Sequence, residues 1–173
     1  HQLLAMARED ANHTESMTRV SLRRLAESSV ADLSLLAEAK RIDLGLETPH
    51  GEPGDEYDVL GDKHALGILL NNLIDNAIRY APQGGRVDVI LERNAQGVGL
   101  EVVDNGTGIA AEELDRVFDR FYRGEASKGA GSGLGLAIAS SVALRHRATL
   151  DVRNLSEAGG LAVRLQGLTP VTA

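Results

Sequence analysis

"LEVVDNGTGIAAEEL", Leu100–Leu114, is the stretch whose reading decides the fold. An apolar run ends on Asp104, Gly106 and Gly108 follow, and an acidic segment takes over. Gly106, Gly108 and Ala111 match the G-x-G-x-x-A fingerprint of dinucleotide-binding βαβ units. That fingerprint requires a second parallel strand after the helix, with an acidic residue near its end. Here "RVFDRFYRG" (Arg116–Gly124) and a glycine-rich segment follow instead, and the βαβ interpretation fails on context. What remains is a strand that ends in a carboxylate and turns on two glycines, which permit positive φ or close backbone approach. A buried Asp104 could accept a hydrogen bond from an amino group there. A plain tight turn is the alternative.

Working outward, "RVDVILE" (Arg86–Glu92) and "VGLEVVD" (Val98–Asp104) form a hairpin around "RNAQG". "ATLDVRN" (Ala148–Asn154) and "GGLAVRL" (Gly159–Leu165) read as two more strands. "RIDLGLE" (Arg41–Glu47) alternates Ile42, Leu44 and Leu46 with polar residues, the period of a half-buried strand. Three segments carry helical periodicity: Ser21–Lys40, with Ser21 as N-cap, then Asp62–Tyr80, stopped by Pro82, and Leu134–Arg147. "AAEELDRVF" (Ala110–Phe118) reads as a short acidic helix. Consecutive strands join by hairpins rather than alternating βαβ units, so the class is α+β.

The bulk numbers exclude several functions. A net charge of -7 argues against a general nucleic-acid binder, which shows a basic face. The absence of cysteine removes disulfides and thiolate metal sites. The five histidines show no HxH or HxxxH spacing, so a histidine-based zinc site is not expected. No apolar run approaches the roughly 20 residues of a membrane-crossing helix.

On the Asp62–Tyr80 helix, "NNLIDNAIRY" (Asn71–Tyr80) places Asn72, Asn76 and Arg79 in one stripe with Tyr80 at its edge. Leu66, Leu70, Leu73, Ile74 and Ala77 cover the opposite side. Amide oxygens suit a hard cation such as Mg²⁺ that shares its shell with water and phosphate. Arg79 suits phosphate oxygens, and Tyr80 could flank a base. Taken alone, the stripe fits a solvated polar face better than a site.

"RGEASKGAGSG" (Arg123–Gly133) reads as a mobile loop without a large apolar side chain. Gly131, Gly133 and Gly135 alternate directly before a helix, where free N–H groups and the dipole favour an anion. It is no Walker A loop, because Ala130 stands where the lysine belongs. Lys128 could swing onto a phosphate from this loop, although an exposed lysine is more often solvated.

Together and in order, "NLIDNAIRY", "DNGTGI", "FDRFYRG" and "GSGLGLAIA" resemble the N box, first glycine box, phenylalanine box and second glycine box of the catalytic ATP-binding domain of bacterial sensor histidine kinases. The resemblance runs from about Ser21 to Leu165, and "HQLLAMARED" is similar to the end of the dimerisation helix preceding that domain. It implies a Bergerat-type two-layer α/β sandwich, with a mixed, mainly antiparallel sheet on three helices and a flexible ATP lid. The implied organisation is residues 1–12 as the dimerisation helix end, 13–20 as a linker, 21–168 as the catalytic domain and 169–173 as a tail.

The resemblance further implies ATP and Mg²⁺ as cofactors. Asn76 would ligate the metal with Asn72 in support, Arg79 contact phosphate and Tyr80 flank adenine. Asp104 would receive the adenine amino group, with Gly106, Gly108 and Ile109 shaping the pocket. Phe118 and Phe121 would pack at the base of a lid carrying Tyr122, Arg123 and Lys128. Gly131, Ser132, Gly133, Leu134 and Gly135 would bring backbone to the triphosphate, and Asn72, Arg79 and Lys128 would support transfer.

Related ATPases carry a glutamate one turn before the metal asparagine to activate water. Asn72 stands there and cannot act as a base, so a kinase is implied over a hydrolase or a serine kinase of the same fold, with a non-catalytic nucleotide-sensing module and a helical interaction protein as the remaining alternatives. The acceptor histidine of the family sits in an H-E-x-x-x-P-like motif that none of the five histidines has, so the chain is expected to bind ATP without phosphorylating itself. Implied partners are its own dimerisation domain, in a homodimer, and a response regulator. The domain would be cytoplasmic, in a parent anchored in the inner membrane. One departure is "RHRATL" (Arg145–Leu150), where the family has a histidine and glycines; it is expected to alter a surface turn.

Overall fold

A computed structural model describes residues 17–49, 57–116, 135–156 and 159–171. Seven strands and three α-helices are present among them: β1 (Thr18–Ser21), α1 (Leu22–Ala39), β2 (Asp43–Glu47), β3 (Asp58–Gly61), α2 (Lys63–Tyr80), β4 (Arg86–Asn94), β5 (Gly97–Asp104), α3 (Gly135–Arg145), β6 (Thr149–Ser156) and β7 (Gly159–Leu168). The main sheet has the order β2-β4-β5-β7-β6. Its β2–β4 pair is parallel and the others antiparallel, the mixed, mainly antiparallel arrangement expected.

Register turns the two-residue period of each strand into rows across the sheet. One row runs Leu46, Val89, Val102, Val163, Val152. On the same face, Leu91, Leu100, Leu165 and Leu150 form the next. The helices cover this face in sheet order, α1 against β2, α2 against β4 and β5, α3 against β6. Helix α2 lies in the middle and buries Leu66, Leu69, Leu70, Leu73, Ile74, Ala77 and Ile78, so its apolar side is the one the periodicity implied.

Helix ends follow local chemistry. Ser21 Oγ accepts from Arg24 N at 3.3 Å, and Asp62 Oδ1 from Ala65 N at 3.1 Å. At the C-termini of α1 and α3, Ile42 N donates to Ala37 O and Ala148 N to Ala143 O, the six-to-one bond of a Schellman turn. Arg41 (φ 56°) and Arg147 (φ 54°) occupy the left-handed position where glycine is the ordinary choice.

The structure corrects several expectations. Residues 18–20 are not linker, because Thr18–Ser21 pairs antiparallel with Asp58–Gly61, a strand the sequence did not announce. Part of the assigned tail is also tied down: Leu60 N donates to Thr169 O, and Val171 N to Asp58 O. The acidic segment is a 3-10 turn over Ala111–Arg116.

"RHRATL" is more than a surface turn, because His146 is 7% exposed. Its Nε2 accepts from Asp62 N at 3.0 Å, and its Nδ1 donates to Val142 O. Beside it Arg145 pairs with Asp62 at 3.2 Å, both side chains being largely buried. The start of α2 is thereby joined to the end of α3. Severing a buried pair from one side leaves an uncompensated charge, a loss of about 3–5 kcal/mol.

Replacing Arg147 by glycine is expected to stabilise the fold, because the left-handed backbone is strained there and its exposed side chain makes no hydrogen bond or ion pair among the described residues that offsets this. The gain should be about 0.5–1 kcal/mol once glycine's greater unfolded-state freedom is subtracted. A thermal midpoint raised by roughly 2–3 °C in Arg147→Gly would show it.

Candidate functional site

Asp104 closes β5 in the next row of the apolar face, whose members are Leu44, Val87, Asp104, Leu161 and Asn154. A carboxylate thus stands where the lattice calls for a hydrocarbon, and it is 3% exposed. Burial pushes its pKa up, against the hydrogen bond from Gly106 N at 2.9 Å and the charge of Lys40, which both pull it down. One oxygen holds the turn, leaving the other as an acceptor.

The turn after Asp104 is fixed from three sides. A Cβ on Gly106 would lie 2.4 Å from Tyr80 O, so only glycine lets this turn lie against the end of α2. Gly160 N donates to Gly106 O at 2.6 Å. Asn154, on β6, accepts from Ile109 N at 2.9 Å and donates to Ile109 O at 2.6 Å. Gly108 has φ 78°, and a Cβ there would meet Asn154 Oδ1. Asn105 leaves the pocket to cap the preceding turn, accepting from Arg86 N at 2.9 Å.

On α2, Asn72 and Asn76 are half-buried and Arg79 is exposed, on the side away from the core. Asn72 Nδ2 donates to Ile68 O at 2.9 Å, and its amide oxygen has no hydrogen-bond partner among the described residues. The Asn76 amide has no hydrogen-bond partner among the described residues. Arg79 pairs with Asp75 one turn back at 3.1 Å, with its side chain 44% exposed. Such a pair is worth about 0.3–0.5 kcal/mol and gives way readily to a phosphate. Tyr80 is half-buried beside Gly106.

Helices α2 and α3 pack along each other, with Asp62 at the start of one meeting Arg145 at the end of the other. They are therefore antiparallel. Ten residues along from each, Gly135 at the head of α3 comes level with Asn72. The start of α3, the amides of α2 and the Asp104 turn are thus all placed with respect to α2. Phe118, Phe121, Tyr122, Arg123, Lys128, Gly131, Ser132, Gly133 and Leu134 lie outside the described residues, as do residues 1–16.

Sequence reasoning missed Lys40, Asp75, Asn154 and the pairing of Asp62 with Arg145 and His146. Lys40 Nζ donates to Ile78 O at 3.0 Å and Arg79 O at 2.8 Å, the last carbonyls of α2. Nothing local marks a lysine at the end of an amphipathic helix for this.

No group of three or more histidine and carboxylate side chains suited to a metal occurs among the described residues. Amide oxygens such as those of Asn72 and Asn76 are hard donors, the type suited to a cation that keeps water and phosphate oxygens in its shell.

Residues 61–168 match the family described as histidine kinase-, DNA gyrase B-, and HSP90-like ATPase. The chain is similar to the sensor protein QseC of Salmonella typhi, 38% identical over 94% of this chain and 34% of that protein. With the sensor protein kinase PmrB of Pseudomonas aeruginosa it shares 37% identity, over 95% of this chain and 34% of the relative. The mycobacterial sensor histidine kinase MprB superposes with a TM-score of 0.78 at 29% identity, over 89% of this chain and 100% of that one. The chain spans about a third of the length of the curated relatives it matches.

Asp104 makes stability depend on pH in a stated direction. Its folded pKa is raised above the unfolded value, so the native state binds more protons between the two, and stability falls as pH rises through that window. Asp104→Asn keeps an acceptor for Gly106 N and removes the buried charge. The variant is expected to be more stable than the parent at neutral pH, the difference closing on acidification. Urea unfolding across a pH series reads this directly.

Proposed function

The chain belongs to the histidine kinase-, DNA gyrase B- and HSP90-like ATPase family, and on that premise we propose that it is the ATP-binding catalytic domain of a bacterial sensor histidine kinase. The observation that carries this is Asp104, a carboxylate held in an apolar row with one oxygen engaged by Gly106. A buried acceptor of that kind selects a ligand with an N–H to give, as the adenine amino group has. Binding by hydrogen bond at such a position discriminates strongly, because a base without the donor leaves the carboxylate unmatched.

Around it the remaining roles follow. Tyr80, Gly106, Gly108 and Ile109 form the walls of the base pocket. Asn76 and Asn72 would hold Mg²⁺, which neutralises charge on the triphosphate when bound. Arg79 leaves Asp75 for phosphate, and Gly135 opens a helix whose free N–H groups face the same region. Tyr122, Arg123, Lys128, Gly131, Ser132, Gly133 and Leu134 are assigned to the lid and second glycine segment from the family resemblance alone.

The proposed reaction moves the γ-phosphoryl group of ATP to an imidazole nitrogen, releasing ADP. The nitrogen brings its own lone pair, so the site needs positioning and charge neutralisation rather than a base. Asn72 is consistent with that need, since an amide cannot activate water. The acceptor histidine would belong to a dimerisation domain of the same protein, in a homodimer, and the phosphoryl group would pass to a response regulator. Among the described residues no helix is long and apolar enough to cross a membrane. A cytoplasmic domain of an inner-membrane parent is proposed from the relatives.

Mixing the chain with its own dimerisation domain and γ-labelled ATP is expected to give acid-labile phosphohistidine; no such product would sink the kinase assignment. Asn76→Ala is expected to weaken Mg²⁺-dependent ATP binding by at least about tenfold in titration calorimetry. Unchanged affinity would refute the assigned metal position.

A further inference from the structure

Given that Asp104 receives the adenine amino group, as proposed above, we infer that Lys40 is a positioning residue of the base pocket, setting the end of α2 against the turn that follows Asp104. Helix α2 ends in carbonyls that have no partner within the helix. Ala77 O accepts from Ala81 N at 2.9 Å. Ile78 O and Arg79 O accept from Lys40 Nζ. The next carbonyl, that of Tyr80, is the one against which Gly106 lies without room for a Cβ. A single ammonium group therefore holds two consecutive carbonyls, and the third forms the contact that places the Asp104 turn.

The lysine is itself held in place. Lys40 N donates to Ala37 O at 3.1 Å, and Lys40 O accepts from Gly84 N at 3.0 Å. Arg41 then turns the chain through its left-handed position into β2. Fixed at both main-chain ends, the stem delivers Nζ across to residues far away in sequence. A cation is also the favoured group at a helix C-terminus, where the carbonyls concentrate partial negative charge.

Charge gives Lys40 a second effect that a neutral bridge would lack. Among the charged side chains on neighbouring elements, Arg79 is turned to Asp75, and Arg86 to Asp88. Lys40 is the one whose charge acts on Asp104, and it acts against burial. It favours the ionised carboxylate, the better acceptor for an amino group. A residue that only filled space at the end of α1 would move neither the affinity for adenine nor its dependence on pH.

The test is ADP binding, by calorimetry over a pH series, to the 173-residue chain and its Lys40→Met, Lys40→Arg and Asp104→Asn variants. Lys40→Met is expected to bind ADP about tenfold more weakly at neutral pH. Its affinity should fail at a higher pH on acidification than that of the parent, because Asp104 takes up a proton more readily. Lys40→Arg, which keeps the charge, should recover most of the affinity and restore the profile. Parent-like binding by Lys40→Met overturns the inference, and so does a loss equal at every pH, which would mark a merely structural role. If Lys40→Met does not fold, Lys40→Gln is held to the same two criteria. Absence of ADP binding by the parent is a separate result, and it would overturn the proposed function together with this inference. Loss in Asp104→Asn with parent-like Lys40→Met would leave the function standing and remove Lys40 alone.

Discussion

One ionisable group in the wrong kind of row governs much of this molecule. Asp104 completes a line of residues whose other members on β2, β4 and β7 are Leu44, Val87 and Leu161. An ionised carboxylate out of water is costly unless it is matched. The surroundings supply a partial match: one N–H from Gly106, and at longer range the charge of Lys40. The shortfall is what a ligand with a donor group would make good. Gly106 must lack a side chain so that the turn can lie against Tyr80 O, and the end of α2 must stay where it is for that contact to mean anything. The glycines, the helix end and the lysine beneath it are consequences of placing that carboxylate there.

The second organising contact lies at the opposite end of the same helix. Asp62 caps α2, pairs with Arg145 and offers its N–H to His146, so it ties α2 and α3 together away from the Asp104 turn. The two helices are thus fixed at one end by buried polar chemistry. Ten residues further along each helix, Gly135 begins α3 level with Asn72, midway along α2. Substitutions at Asp62, Arg145 or His146 therefore act on how α2 and α3 are joined.

How much of this the sequence revealed depends on the range of the interaction. Ser21 and Asp62 were legible as helix starts because a cap is a contact over three residues. The α2 stripe and the four long strands were legible from period alone. Asp104 could be singled out because it ends an apolar run and precedes two glycines. Lys40 could not, since its partners Ile78 and Arg79 are 38 and 39 residues away. His146 was misjudged for the same reason, as its partner Asp62 is 84 residues distant. The β1–β3 pair escaped because four-residue strands hold too few side chains to show a period. Asn154 sits in an ordinary alternating strand, and only register reveals that it shares a row with Asp104.

That asparagine has a consequence of its own. By giving and taking one hydrogen bond each with Ile109, its amide imitates the backbone of a neighbouring strand and extends the sheet by a single rung made of a side chain. The rung grips main chain, which every residue type possesses. This hold on the loop is independent of side-chain identity, and the packing of the Ile109 side chain against the core adds to it. Thr107, which is exposed, can change while its neighbour's backbone stays in place, whereas the Ile109 side chain packs against the core. The price of that freedom is concentrated in one residue on another strand, whose loss no substitution within the loop could replace.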